Sequence, residues 1–234
     1  MEFSLRDVSY LLSGDALTPA GIALVVALVI LSLGIHEAAH AFAAYKLGDP
    51  TAKNLGRMTV NPIPHIDPFM TIVLPAITLT TMGFMFGGAK PVPVMPMNFK
   101  NQHRDNAIVA IAGPLSNLIL AVLFVTIGYV LLATGLYTLS QVLPRVLFAS
   151  GIANLILTIF NLVPIPPLDG SRVVSWLLPG ETRQAYNTLE RFGLVIIVGL
   201  FLLVPGFGYA IWTTLTTLLN VILQVLHSTL GQVL

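Results

Sequence analysis

His36-Glu37-Ala38-Ala39-His40 sets two imidazoles four residues apart, with a carboxylate beside the first. On an α-helix that spacing puts both rings on one face, one turn apart, where they reach a single ion. H-E-x-x-H on a helix is the metalloprotease arrangement: two metal ligands, and a glutamate placed to act on water. The motif lies inside an apolar run, where a residue such as Asp costs at least ~2.5 kcal/mol on the most lenient scale. A lone histidine there would be a buried packing residue. Two at helical spacing flanking a glutamate point to a metal site instead.

A catalytic zinc takes three protein ligands and keeps one position open. The chain has no cysteine, so the remaining ligand must be His, Asp or Glu. Asp169 is the best candidate, in Asn161-Leu162-Val163-Pro164-Ile165-Pro166-Pro167-Leu168-Asp169-Gly170, where three prolines break an apolar helix and deliver a carboxylate beside a flexible glycine. The alternative is a turn in which Asp169 caps a helix from Ser171 onwards. Nitrogen and oxygen ligands suit zinc but also hold other divalent ions.

These residues need a membrane scaffold to position them. Hydrophobic residues make up 56% of the 234 and charged ones 9%, and uncharged runs longer than the roughly 20 residues that cross a bilayer recur. The expected fold is therefore an all-α polytopic membrane protein with about five to six membrane helices, in one domain over residues 1–234. Lys and Arg number 11 against 10 Asp and Glu, with no basic stripe or acidic tail to engage a nucleic acid. The N-terminus lacks a basic stretch, short apolar core and small-residue cleavage site, so the first long helix is expected to stay.

Residues 1–18 form a short mixed segment, and Thr18-Pro19 reads as a helix start with proline in the first turn. The first membrane helix is expected from about Ala20 to Tyr45, with His36 roughly 24 Å along it, near its exit. Uncharged runs follow over Asn106 to Pro144 and Val146 to Leu168; further helices are expected to end near Val204 and to run from about Phe207 to Leu226. Phe69 to Phe86 is apolar but interrupted by Pro75 and Gly83, and Gly87 to Val94 is extended because its prolines exclude a regular helix. If residues 69–94 enter and return on one face, Lys46, Lys53, Arg57, Lys90, Lys100, Arg104, Arg172, Arg183 and Arg191 are all cytoplasmic, and only Arg6 and Arg145 lie outside. That satisfies the positive-inside bias, so a re-entrant segment beside a site near the cytoplasmic face of the cell membrane is the preferred topology.

Taken with Gly113-Pro114-Leu115-Ser116-Asn117 and the N-x-x-P-x-x-P-x-D-G pattern from Asn161 to Gly170, the His36 to His40 motif resembles the site-2 protease family of intramembrane zinc metalloproteases. Gly48-Asp49-Pro50, His65-Ile66-Asp67-Pro68 and Ala89-Lys90-Pro91-Val92-Pro93-Val94 are similar to the compact prokaryotic members. The resemblance implies one zinc held by His36, His40 and Asp169, Glu37 as general base and acid, and Asn161 binding the reacting peptide carbonyl. It implies transmembrane protein substrates within the lipid bilayer. No PDZ-like insertion is read in the sequence, a departure from the larger members of that family.

The function expected is hydrolysis of peptide bonds within or near transmembrane segments. The alternative is a non-proteolytic membrane metal-binding protein, either a metal transporter or an inactive relative. An extended edge at Lys90 to Val94 or Arg57 to Val60 would take an unwound substrate by strand addition, unless the prolines there only shape a loop. His65 and Asp67 are read as partners of a ligand histidine or, preferably, as a turn capped by Asp67. Asn117 and Asn154 are candidates for hydrogen bonds between helices, or small-residue contacts suffice there. A Gly-rich apolar surface suits lipid or a second subunit equally.

Overall fold

The computed structural model describes residues 17–82 and 87–230. Expectations for residues 1–16, Arg6 among them, and for Gly83 and Phe86 lie outside the described residues. Every regular element among those described is helical, and the α-helices longer than one turn are α1 (Pro19–Lys46), α2 (Leu74–Met82), α3 (Gln102–Ala133), α4 (Val142–Asn161), α5 (Asp169–Leu177), α6 (Gly180–Asn187), α7 (Gly193–Leu203) and α8 (Phe207–Leu230). Five stretches are long and apolar enough to cross a membrane: α1, α3, α4, Gly180–Leu203 and α8. This is a polytopic all-α membrane protein, as expected. Its helices carry exposed Ile22, Leu24, Val26, Ile119, Leu123 and Val221, the surface that lipid tails cover.

Helix α1 begins where Thr18-Pro19 predicts it. Thr18 Oγ1 accepts the Gly21 amide at 3.2 Å, satisfying one of the orphan donors of the first turn. It ends at Lys46, and Gly48 turns the chain with φ +110°, a conformation open to glycine.

The chain forms two compact units. One contains residues up to Val29, Asn117–Phe160 and from Val198 onwards; the other contains Ile30–Ser116 and Asn161–Ile197. The first has a core at helical spacing: Ala121, Val125, Tyr129 and Leu132 from α3, Phe148, Ile152 and Leu155 from α4, and Leu215, Leu219 and Leu223 from α8. A Cβ on Gly151 would lie 2.7 Å from Val125 Cγ2, so only glycine lets α3 and α4 approach this closely. Asn117 Nδ2 donates to Asn154 Oδ1 at 3.2 Å, both fully buried, so the two candidates for a bond between helices bond to each other.

The second unit carries the chemistry. After Asp67, whose carboxylate accepts the Phe69 and Met70 amides and so caps the turn as predicted, the chain makes π turns over Pro68–Val73 and continues into α2. It then comes back to its own starting point. Gly88 N donates to Met70 O (3.0 Å), Thr71 Oγ1 to Gly88 O (2.7 Å) and Lys90 N to His65 O (2.7 Å). The two ends of the segment therefore lie side by side, as a re-entrant path requires. Parity agrees: α3 and α4 lie between His40 and Asp169, and two crossings return the chain to the side it left.

Candidate metal centre

His36, Glu37 and His40 project from the second half of α1, and all three are buried, 5–7% exposed. Asp169 opens α5, after turns over residues 162–168 that the prolines impose by denying the backbone its helical donors. His36 Nε2 and His40 Nε2 lie 3.0 Å apart, and Asp169 Oδ2 lies 3.3 and 3.4 Å from them. These residues form the group of potential ligands found among the described residues.

The tautomer follows from the far side of the ring. His40 Nδ1 is 2.8 Å from Val109 O in α3; a carbonyl only accepts, so Nδ1 carries the hydrogen and, in the neutral ring that binds a metal, Nε2 presents its lone pair. Asp169 Oδ2 is buried without a hydrogen-bond partner. Among the described residues no backbone amide donates to its carboxylate, and Asp169 lies inside the helix with Leu168 at the cap position, so the capping alternative does not describe it. An unpartnered buried oxygen beside a lone-pair nitrogen costs free energy unless a cation joins them. A tetrahedral ion with bonds of about 2.0–2.1 Å needs ligand atoms about 3.3 Å apart, close to the three observed separations. The residues fit zinc.

Glu37 belongs to a separate connection. Its Oε2 accepts the Val92 amide at 2.8 Å in a buried bond, and Oε1 has no hydrogen-bond partner among the described residues. The extended stretch 87–95 is present as predicted, but as a strap whose donors face inward. Pro91 and Pro93 have no amide hydrogen, while Lys90, Val92 and Met95 spend theirs on His65 O, Glu37 and Asp49. Strand addition along Lys90 to Val94 has one amide left, on Val94. Arg57, in the other proposed edge, donates to Lys90 O at 2.8 Å.

Asn161 is the last residue of α4, half-buried, and begins the broken segment that leads to Asp169. His65 is buried with Nε2 donating to Thr59 O and Nδ1 accepting from Arg57, so its ring holds the loop and does not orient a ligand histidine. Sequence reasoning missed two other contributors. Val109 acts through a carbonyl, which no residue type reveals. Gly113 packs against both imidazoles: a Cβ there would lie 2.6 Å from His36 Cε1 and 2.5 Å from His40 Cε1. The signal for it was the Gly-Pro pair inside an apolar run. Gly170 is likewise needed for space, not flexibility, since a Cβ would lie 2.8 Å from Val163 O.

Fold and site together define a multi-pass membrane protein of the H-E-x-x-H metallopeptidase type. The model of "Peptidase family M50" matches residues 137–205. The Bacillus subtilis protein named "Putative zinc metalloprotease YwhC" is 38% identical over 196 residues, covering 80% of this chain and 83% of that protein. Proteins described in the same words and named Rip2 are 34% identical: over 185 residues in Mycolicibacterium smegmatis, covering 76% of this chain and 66% of that protein, and over 200 in Mycobacterium tuberculosis, covering 82% and 73%. No solved structure matches the chain. The chain belongs to peptidase family M50, the site-2 protease family.

Proposed function

We propose that the protein is an intramembrane zinc endopeptidase that hydrolyses peptide bonds within or near transmembrane segments of other membrane proteins, at the cytoplasmic face of the cell membrane. The observation that carries this reading is the convergence of His36, His40 and Asp169 on one point, with Glu37 beside them in a helix apolar enough to cross a membrane. The names of the relatives support zinc as the ion. His36, His40 and Asp169 would hold it, and when bound it supplies Lewis-acid chemistry, lowering the pKa of water and polarising a carbonyl. Glu37 Oε1 removes the proton of the attacking water and passes it to the leaving amine nitrogen. Val109 O holds His40 in the tautomer that keeps Nε2 free for the ion. Asn161 donates from its side-chain amide to the scissile carbonyl, where negative charge develops. The Lys and Arg of the loops next to the site support a cytoplasmic orientation.

The test is cleavage of a helical membrane substrate in liposomes by wild type and Glu37→Gln, with and without a chelator. Product from wild type alone, lost with chelator and restored by zinc, is expected. Equal product from Glu37→Gln refutes the reading and favours a metal-binding or transport role.

A further inference from the structure

Pro91-Val92-Pro93 contains one amide hydrogen, and it is spent on Glu37. The strap that presents it is pinned on both sides. Beyond Val94, Asp49 Oδ2 accepts Met95 N and Asp49 Oδ1 accepts Asn98 Nδ2, each at 2.7 Å. Before Pro91, Lys90 N donates to His65 O at 2.7 Å, and Arg57 Nη2 donates to Lys90 O at 2.8 Å and Pro91 O at 3.5 Å. Asp49 is 0% exposed and His65 2%, and Val92 itself is buried against Ala41 and Ala52. Such a clamp is more than a loop needs in order to turn.

We propose that the Lys90–Met95 strap is a positioning device for Glu37: the Val92 amide fixes the carboxylate by Oε2 so that Oε1 faces the attacking water, and Asp49 and Arg57 are positioning residues acting through the strap. This rests on the protease reading above. A carboxylate on a flexible side chain has several rotamers, and a buried, charge-assisted hydrogen bond selects one. A misplacement of about 1 Å at a reacting group costs about 10²-fold in rate. The loss therefore falls on kcat, while substrate affinity and zinc, which the strap does not hold, stay.

The first measurement needs no proteolysis. Pro-Val occurs only at 91–92 and 93–94, so the full chain labelled with ¹³C-carbonyl proline and ¹⁵N valine gives two selected amide signals, Val92 and Val94. Val92 should exchange with deuterium at least tenfold more slowly than Val94, and in Glu37→Ala that protection should fall at least fivefold. No difference in wild type, or none lost in Glu37→Ala, overturns the proposal whatever cleavage does. The second measurement is kinetic. Val92→Pro deletes the hydrogen and should lower kcat about 10–100-fold, with KM and bound zinc within twofold of wild type. Val92→Thr, isosteric and with its amide hydrogen, should recover most of that loss. Wild-type kcat in Val92→Pro, with Glu37→Gln inactive, removes the strap and leaves the protease reading standing. Equal product from Glu37→Gln removes that reading and this role with it. If Val92→Pro loses zinc, Asp49→Asn decides on the same criterion: a fall in kcat at constant KM supports the clamp, and an unchanged kcat or a change confined to KM refutes it.

Discussion

Replacing Gly113 by alanine should empty the metal centre without unfolding the protein. The added Cβ would sit 2.5–2.6 Å from the Cε1 atoms of His40 and His36, where non-bonded carbons prefer about 3.5–4.0 Å. Something must retreat by about 1 Å, whereas a metal site tolerates about 0.2 Å in its ligand distances. Neither partner retreats cheaply. If His40 swings away, it breaks its 2.8 Å bond to Val109 O; if α3 moves, Val109 moves with it, since it lies in the same helix. Disturbing one outer partner of a ligand costs 10–100-fold in metal affinity, and here two ligands move, so zinc should weaken by about 10²-fold or more. The assay is zinc competition against a chelator of known affinity on the purified chain in detergent, with circular dichroism for helix content. Gly199→Ala is the control. It lies in α7, nothing surrounds its Cβ within 4 Å, and alanine there should gain about 0.5–1 kcal/mol from helix propensity. A folded Gly113→Ala that binds zinc within threefold of wild type would refute the packing argument.

Asp169→Ala should abolish zinc retention and cleavage while leaving α1 inserted. The absence of cysteine makes single-cysteine labelling on either side of α1 a clean check; an altered labelling pattern would mean that Asp169 serves the fold and not the ion. Asp49 governs an acid limb of stability. Burial pushes its carboxyl up, but bonds from the Met95 amide, Thr51 and Asn98 outweigh this and hold it below the usual carboxylate range. A depressed folded pKa contributes stability that is full above the unfolded value of about 3.9 and lost as pH falls through the folded one. The melting temperature should therefore drop below about pH 4 in wild type and less steeply in Asp49→Asn; parallel profiles would refute this.

What the sequence made legible was local or counted. The bounds of α1 differ from expectation by one residue at each end, because Thr18-Pro19 and Gly48 mark them chemically. The His36–His40 pair follows from helical period alone. Re-entry is expected from the loop charges, and the bond from Gly88 to Met70 brings the two ends of the segment together as that path requires. Asp169 was only half legible, since a proline-rich turn ending in Asp-Gly reads equally as a cap. The strap shows the limit most clearly. Its extended backbone was visible in its prolines, but the partner of its one central amide lies 55 residues earlier, and no local rule reaches that far.

The motif on α1 is thus not a site by itself. Each of its reactive groups is completed by a segment remote in sequence: His40 by Val109, Glu37 by Val92, and both imidazoles by Asp169. Helix α3 contributes twice within one turn. Val109 and Gly113 are four residues apart and share a face; the first supplies a carbonyl that sets the ring's tautomer, and the second withholds a side chain so that the ring fits. An acceptor and a void at that spacing form a slot shaped for an imidazole, and the Gly113-Pro114 pair belongs to the site's construction as much as the two histidines do. The same logic explains why the polar side chains are bearable at membrane depth. A buried polar group costs several kcal/mol only while it lacks a partner, and the backbone of α3 provides one for His40 and that of the strap one for Glu37 before any ion arrives, while Asp169 Oδ2 is left for the ion.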